Sequence, residues 1–113
     1  MACLFCEIVA GRIPSRTAYE DEGILAFHDI NPQAPVHVLL IPKKHITSLA
    51  DLEPADDALL GALVRRARDL AGELELAARG YRLVFNCGDE AGYSVYHVHL
   101  HLLGGRRLGW PPG

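Results

Sequence analysis

No apolar run in this chain approaches the roughly 20 residues needed to cross a bilayer as a helix. No basic run exceeds the pairs Lys43-Lys44 and Arg106-Arg107 or the cluster Arg65, Arg66 and Arg68. The first absence argues against a membrane anchor. The second disfavours broad nucleic-acid binding, although one phosphate-sized ligand needs only local donors. Cysteine is sparse: Cys3, Cys6 and Cys87 make an odd number, which argues against a disulfide framework. No signal peptide is expected, since Met1-Ala2-Cys3 reads as opening directly into structure, and a cytoplasmic location is the matching expectation. Repeats, linkers and low-complexity segments are lacking as well. What remains is ordinary globular material of 113 residues, 50% apolar and 22% charged, with a net charge of −3. That is one domain over residues 1–113, small enough to gain from a partner chain.

The elements read plainly. Residues 3–10 suggest a short helix or turn closed by Gly11, and Thr17–Glu20 a first strand. Gly23 opens a second strand over 24–29, which Asn31-Pro32 ends with a turn signal. Residues 36–41 are nearly all apolar, as in a central strand, with Pro42 stopping the ladder. Glu53-Pro54 starts the one long helix, with Asp56 and Asp57 in its first turn. Its apolar face comprises Leu59, Leu60, Leu63, Val64, Ala67, Leu70 and Leu74. Gly80 ends that region and a strand follows over 81–86, then a polar loop through Gly88 and Gly92. The expectation is an α+β fold: an antiparallel sheet of five strands, one long helix against it, and a short N-terminal helix.

The last strand holds the chemistry. In His97-Val98-His99-Leu100-His101-Leu102-Leu103, alternation puts three imidazoles on one face and aliphatic side chains on the other. A polar edge strand that happens to be rich in histidine is the bland reading. Three of the six histidines falling within five positions weigh against it. The outer two rings start about 13 Å apart on a strand, too far for one ion to collect all three. An extended anion suits the row better. At a pKa near 6.5 most imidazole is neutral at pH 7 and needs little activation to attack phosphorus. In the preceding loop Gly92 lets backbone N–H groups approach an oxyanion, and Ser94 offers a hydroxyl.

The Cys3-x-x-Cys6 pair has three readings: a redox dithiol, unligated thiols, or half of a Cys2His2 zinc site completed by strand histidines, with His45 and His97 as candidates. Redox chemistry lacks the βαβ context of thioredoxin-like motifs. Cys87, alone in an apolar run, reads as a small buried side chain. His28 reads as a satisfied or exposed strand residue, and His37, in the most apolar strand, as buried and hydrogen-bonded behind the histidine face.

Ser94–Gly105, with Phe5-Cys6-Glu7-Ile8, Ile13-Pro14, Ala26–Pro35 and Ile41–Ile46, closely resembles the histidine triad nucleotide-binding (HIT) proteins over essentially the whole chain. The ending Trp110-Pro111-Pro112-Gly113 is similar to the Hint branch, the purine nucleoside phosphoramidases. The resemblance implies a HIT-fold homodimer joined through one ten-stranded sheet, and binding of AMP- or GMP-like nucleotides. It implies His99 as nucleophile, with His101 and Ser94 acting beside it. Asp29 would hold the ribose hydroxyls, and Phe5, Ile8, Phe27 and Ile30 the purine. Asn86, Gly92, Ser94 and His101 would surround the α-phosphate. Tyr93 stands where that branch has a glutamine or similar polar residue, so a backbone contact to phosphate is expected there. The cysteine pair is similar to that of bacterial HIT proteins with a structural zinc, which implies Cys3, Cys6, His45 and His97 as its ligands. His97 then leaves the chemistry, and no metal is expected in the chemical step. The competing expectations are a nucleotide sensor or adaptor with incidental turnover, a dinucleoside polyphosphate hydrolase of the same family, and a zinc hydrolase using two of the three histidines.

Overall fold

The computed structural model describes residues 3–113; Met1 and Ala2, read above as leading directly into structure, lie outside the described residues. Helix α1 (Leu4–Val9) is capped by Cys3, whose Sγ accepts from the Cys6 N–H at 3.4 Å. Strands β1 (Thr17–Glu20), β2 (Ile24–His28) and β3 (Val36–Pro42) follow. Then come helix α2 (Asp57–Glu73) and strands β4 (Tyr81–Phe85) and β5 (Leu100–Gly104). All neighbouring strands pair antiparallel in one five-stranded sheet of order β1-β2-β3-β5-β4. The chain has the α+β architecture that its patterning indicates.

Period-two alternation divides the sheet into two faces. One carries Ile24, Ala26, Val38, Leu40, Leu100 and Leu102, packed on Leu63, Ala67, Leu70 and Ala71 of α2. The other carries Leu25, Phe27, Leu39 and Ile41 beneath Phe5 of α1. Because β2 and β3 are buried on both faces, their sequences read as continuous apolar runs rather than alternating ones. Among the described residues, the short helix and Val95 of the loop before β5 pack on the second face, which also carries polar groups of β3 and β5.

Four local expectations are corrected. Pro54–Asp56 forms a separate 3₁₀ turn, so α2 itself begins at Asp57. Asp56 is buried and accepts from the Glu53 N–H and from Lys44 Nζ, which makes it a local anchor rather than a free charge near the helix dipole. Val64 on α2 is 42% exposed, and Ala71 takes a place in the core instead. Pro42 closes β3 as its last paired residue, opposite Ile24, and its carbonyl stays free for a side-chain donor.

The histidine run corrects most. Only His101 lies on β5; His97, Val98 and His99 precede the strand. The Val98 N–H is taken by the Ile46 carbonyl at 2.7 Å, so this stretch is tied to the loop after β3 instead of to a neighbouring strand. The aliphatic residues Val98, Leu100 and Leu102 are nonetheless all buried. Among the described residues, no helix is long and apolar enough to cross a membrane.

Candidate functional site

Leaving the strand lets the three rings serve two separate centres. His97 is fully buried and its Nε2–H donates to the Pro42 carbonyl at 2.8 Å. A carbonyl only accepts, so that bond fixes the proton on Nε2 and leaves the Nδ1 lone pair free. Nδ1 lies 3.4 Å from Cys3 Sγ, 3.6 Å from Cys6 Sγ and 3.1 Å from His45 Nδ1. Cys6 Sγ is in turn 3.3 Å from His45 Nδ1, and the four donor atoms all lie within 4.8 Å of one another. Bond lengths of about 2.3 Å to sulfur and 2.0–2.1 Å to nitrogen give tetrahedral edges of roughly 3.3–3.8 Å. The donor set therefore has the chemistry and spacing of a zinc site. Both histidines come from irregular backbone, the loop after β3 and the approach to β5, and not from strands as expected. Without a cation, burial pushes the Cys6 thiol up and the neighbouring Cys3 adds to this.

The second centre begins at His99, which is 9% exposed. Its Nδ1–H donates to the His97 carbonyl at 2.7 Å, so Nε2 carries the lone pair. Three rings set the plane of this imidazole. Phe5 and His101 meet it edge-on at 5.1 and 5.0 Å between centroids, and Tyr93 stacks on it at 5.5 Å with planes 11° apart.

His101 is oriented by His37. The Gln33 N–H donates to His37 Nδ1 at 3.1 Å, which requires that nitrogen to be unprotonated and places the His37 proton on Nε2. That proton is donated to His101 Nδ1 at 2.9 Å, and Asp29 Oδ2 lies 3.5 Å from the same His37 nitrogen. By the same logic His101 is protonated at Nε2. This N–H is a buried donor with no protein partner among the described residues. A nucleophilic lone pair on one imidazole thus sits beside an unsatisfied N–H on the next, an arrangement suited to an anion with an electrophilic centre.

Burial dominates the titration of this centre. It lowers His37, partly offset by Asp29, and His99, partly offset by its bond to the His97 carbonyl and then by Asp29, and it lowers His101 to about 4, with His99 and His37 contributing. A depressed histidine pKa means the unfolded chain takes up the proton more readily. The His101 contribution to stability is complete above the ordinary value near 6.5 and declines as pH falls from there toward about 4. Thermal melts of the zinc-loaded protein are expected to lose stability across that window. The loss should be shallower in His101→Leu; identical pH profiles in the two proteins would contradict the burial-lowered titration of His101.

The other sequence candidates distribute unevenly. Phe5 and Phe27 are buried edge-on to each other at 5.6 Å, with Ile8 packed against their cluster. Ile30 stands apart at 101% exposure, so no contact holds it in that slot. Asp29 follows β2 directly, and its Oδ1 accepts from the Asn31 N–H at 2.8 Å. Asn86 follows β4 and is half-buried. Gly92 adopts φ +79°, a left-handed turn that a side chain would strain, ending the 3₁₀ turn over Asp89–Ala91. Ser94 is exposed and lines a concavity of about 400 Å³ with Cys3, Leu4, His45, Thr47, Val95 and Tyr96. Cys87 is exposed, contrary to expectation, because the chain has left β4 two residues earlier. His28 is half-buried at the end of β2. A larger cleft of about 490 Å³ lies at the other end of the β4–β5 pair, lined by Arg79, Tyr81, Arg82, Arg106 and Arg107. It contains no histidine, so the tautomer-fixed pair, and not cavity size, locates the site.

Two contributors were missed. The direct bond from His37 to His101 depends on β3–β5 register, in which Leu39 faces His101, and one chain segment read alone does not show it. The ring contact of Tyr93 with His99 was also not anticipated; the available signal was a large aromatic residue immediately after a glycine-rich turn.

A family model described as HIT domain matches residues 10–108. A HIT-like protein of Synechocystis sp. is 51% identical over 110 residues, covering 97% of this chain and 96% of its own. A 14 kDa zinc-binding protein of Zea mays is 49% identical over 112 residues, with 97% and 87% covered. The crystal structure of a HIT family hydrolase from Legionella pneumophila superposes with a TM-score of 0.98 at 54% identity, covering 99% of this chain and all of that one (100%).

Proposed function

The chain belongs to the HIT domain family, and from that premise we propose that it hydrolyses purine nucleoside phosphoramidates, adenosine 5′-monophosphoramidate-like compounds, through a nucleotidyl-histidine intermediate on His99. The observation that carries the reading is the pair of fixed tautomers. His99 Nε2 is a lone pair beside the unpaired N–H of His101. Attack by Nε2 on the α-phosphorus expels the amine, and water then releases the nucleotide. His101 donates to a phosphoryl oxygen as charge builds there, joined by Ser94, by Asn86 and by backbone N–H groups around Gly92 and Tyr93. Asp29 accepts from the ribose hydroxyls. Phe5, Ile8 and Phe27 receive the purine, and Ile30 closes over it from the exposed side.

Cys3, Cys6, His45 and His97 would hold a structural zinc. Four protein ligands fill a tetrahedral shell, so such an ion activates no water; it ties α1, and with it Phe5, to the sheet. The Zea mays relative named for zinc binding supports that assignment. The protein is read as cytoplasmic and homodimeric. β4 is an edge strand with half-buried side chains and an open hydrogen-bonding edge, which a second β4 would satisfy to give a ten-stranded sheet. Sedimentation at micromolar concentration should show a dimer; a stable, fully active monomer would contradict this.

The test of activity is a turnover panel of adenosine and guanosine phosphoramidates, with dinucleoside polyphosphates alongside, in the presence and absence of chelator. Fast release of the amine that chelator does not abolish is expected. Tight AMP or GMP binding without turnover would instead favour a sensor, and immediate chelator-induced loss a zinc hydrolase.

A further inference from the structure

Tyr93 lies in the loop before β5 and is 6% exposed. Its hydroxyl is committed to the Thr47 carbonyl at 2.6 Å, and its titration is pushed up to about 12, chiefly by burial. It is therefore neither acid nor base at neutral pH. What it offers His99 is a ring face, with planes 11° apart and centroids 5.5 Å apart. Among the described residues the other rings against His99 are Phe5 and His101, and both meet it edge-on.

The charge on His99 changes during the proposed reaction. The Nε2 lone pair forms the new N–P bond while the P–N bond to the leaving amine breaks; that electron pair departs with the amine, which takes its proton from solvent. The Nδ1–H stays on the His97 carbonyl, so the nucleotidylated ring is an imidazolium. When water attacks phosphorus, the N–P electron pair returns to Nε2, the ring becomes neutral, and the water proton goes to solvent. The cation exists only between the two steps. An aromatic face within about 6 Å attracts such a cation.

Resting on the nucleotidyl-histidine reading above, we propose that Tyr93 is a positioning residue that holds the cationic nucleotidyl-imidazolium of His99 against its ring face, favouring formation of the intermediate over its hydrolysis. The tether to Thr47 keeps the face in place, and Thr47 Oγ1 lies 3.3 Å from His45 Nε2, so the support is anchored beside the candidate zinc ligands.

Single-turnover quench-flow with an adenosine phosphoramidate labelled at phosphorus separates formation of the nucleotidyl-protein from its decay. Tyr93→Leu is expected to slow formation roughly tenfold and reduce accumulation while decay is as fast or faster. Tyr93→Phe keeps the face and should restore formation to within about threefold. Phenylalanine analogues of rising fluorination at position 93 preserve the shape should the leucine variant fold poorly. They should lower the formation rate stepwise as the ring face loses electron density. Equal slowing of both steps, or no dependence on fluorination, would overturn the role of Tyr93 alone. Absence of any adduct in the parent protein would overturn the nucleotidyl-histidine reading itself, and this role with it.

Discussion

His99→Ala is expected to leave nucleotide affinity within an order of magnitude of the parent while lowering turnover on the order of 10⁴-fold or more. The split follows from where the groups sit. In the proposed mode Phe5, Phe27 and Asp29 still offer their contacts to base and ribose when the His99 ring, which Phe5 meets edge-on, is removed, so binding loses one partner among several. The chemical step loses the nucleophile proposed for it, and its neighbours are poor substitutes, because His101 holds its proton at Nε2 and His97 faces the cysteine cluster. The orphaned His101 N–H and the loop donors would still stabilise charge on phosphorus, so a small residual rate is expected rather than none. Isothermal titration with AMP and steady-state kinetics on one preparation check both halves. Turnover within tenfold of the parent would move the nucleophile elsewhere.

The second large effect concerns metal. Cys3→Ser with Cys6→Ser should abolish zinc in elemental analysis and lower the melting temperature by at least about 10 °C. The mechanical reason is that α1 is six residues long and cannot hold itself by propensity. It is held by Phe5 packing on Phe27 and His99 and by the cluster that Cys3 and Cys6 complete. Loosening α1 disturbs the base slot, so KM should rise. The route from His99 to phosphorus includes no ligand of that cluster except the His97 carbonyl, which is backbone. Saturating substrate should therefore recover turnover to within about tenfold of the parent. Zinc-free purified protein would contradict this account, as would a double mutant that folds, binds nucleotide normally and is inactive.

These two expectations rest on different depths of sequence legibility. The fold was open to reading because each element carries its own period: the aliphatic alternation of Val98, Leu100 and Leu102, and the three- and four-residue spacing of Leu63, Ala67 and Leu70. The juxtaposition of Cys3 and Cys6 with His45 and His97 was approachable because residue type made these four candidates and the family resemblance implied them as one ligand set. The division of the histidine run was not. Alternation places His97, His99 and His101 on one strand face, but the Val98 N–H bonds to Ile46 outside the sheet, and that tertiary contact detaches the first two from β5. His37 was read as buried, but its bond to His101 is diagonal across β3 and β5 and needs the register of the pair. Cys87 was misjudged in exposure for a related reason. It lies just beyond the end of β4, where hydrophobicity no longer reports which way the chain turns.

The tautomers make the central claim unusually specific, since they name one nitrogen of one residue. Rapid alkaline trapping of the enzyme during turnover of an adenosine phosphoramidate, followed by tandem mass spectrometry and ³¹P–¹⁵N correlation on the ¹⁵N-histidine-labelled protein, reads that nitrogen directly. The account predicts an adenylyl group on Nε2 of His99, absent from His99→Ala. An adduct on Nδ1, on His97 or His101, or full turnover with no adduct formed, would contradict it.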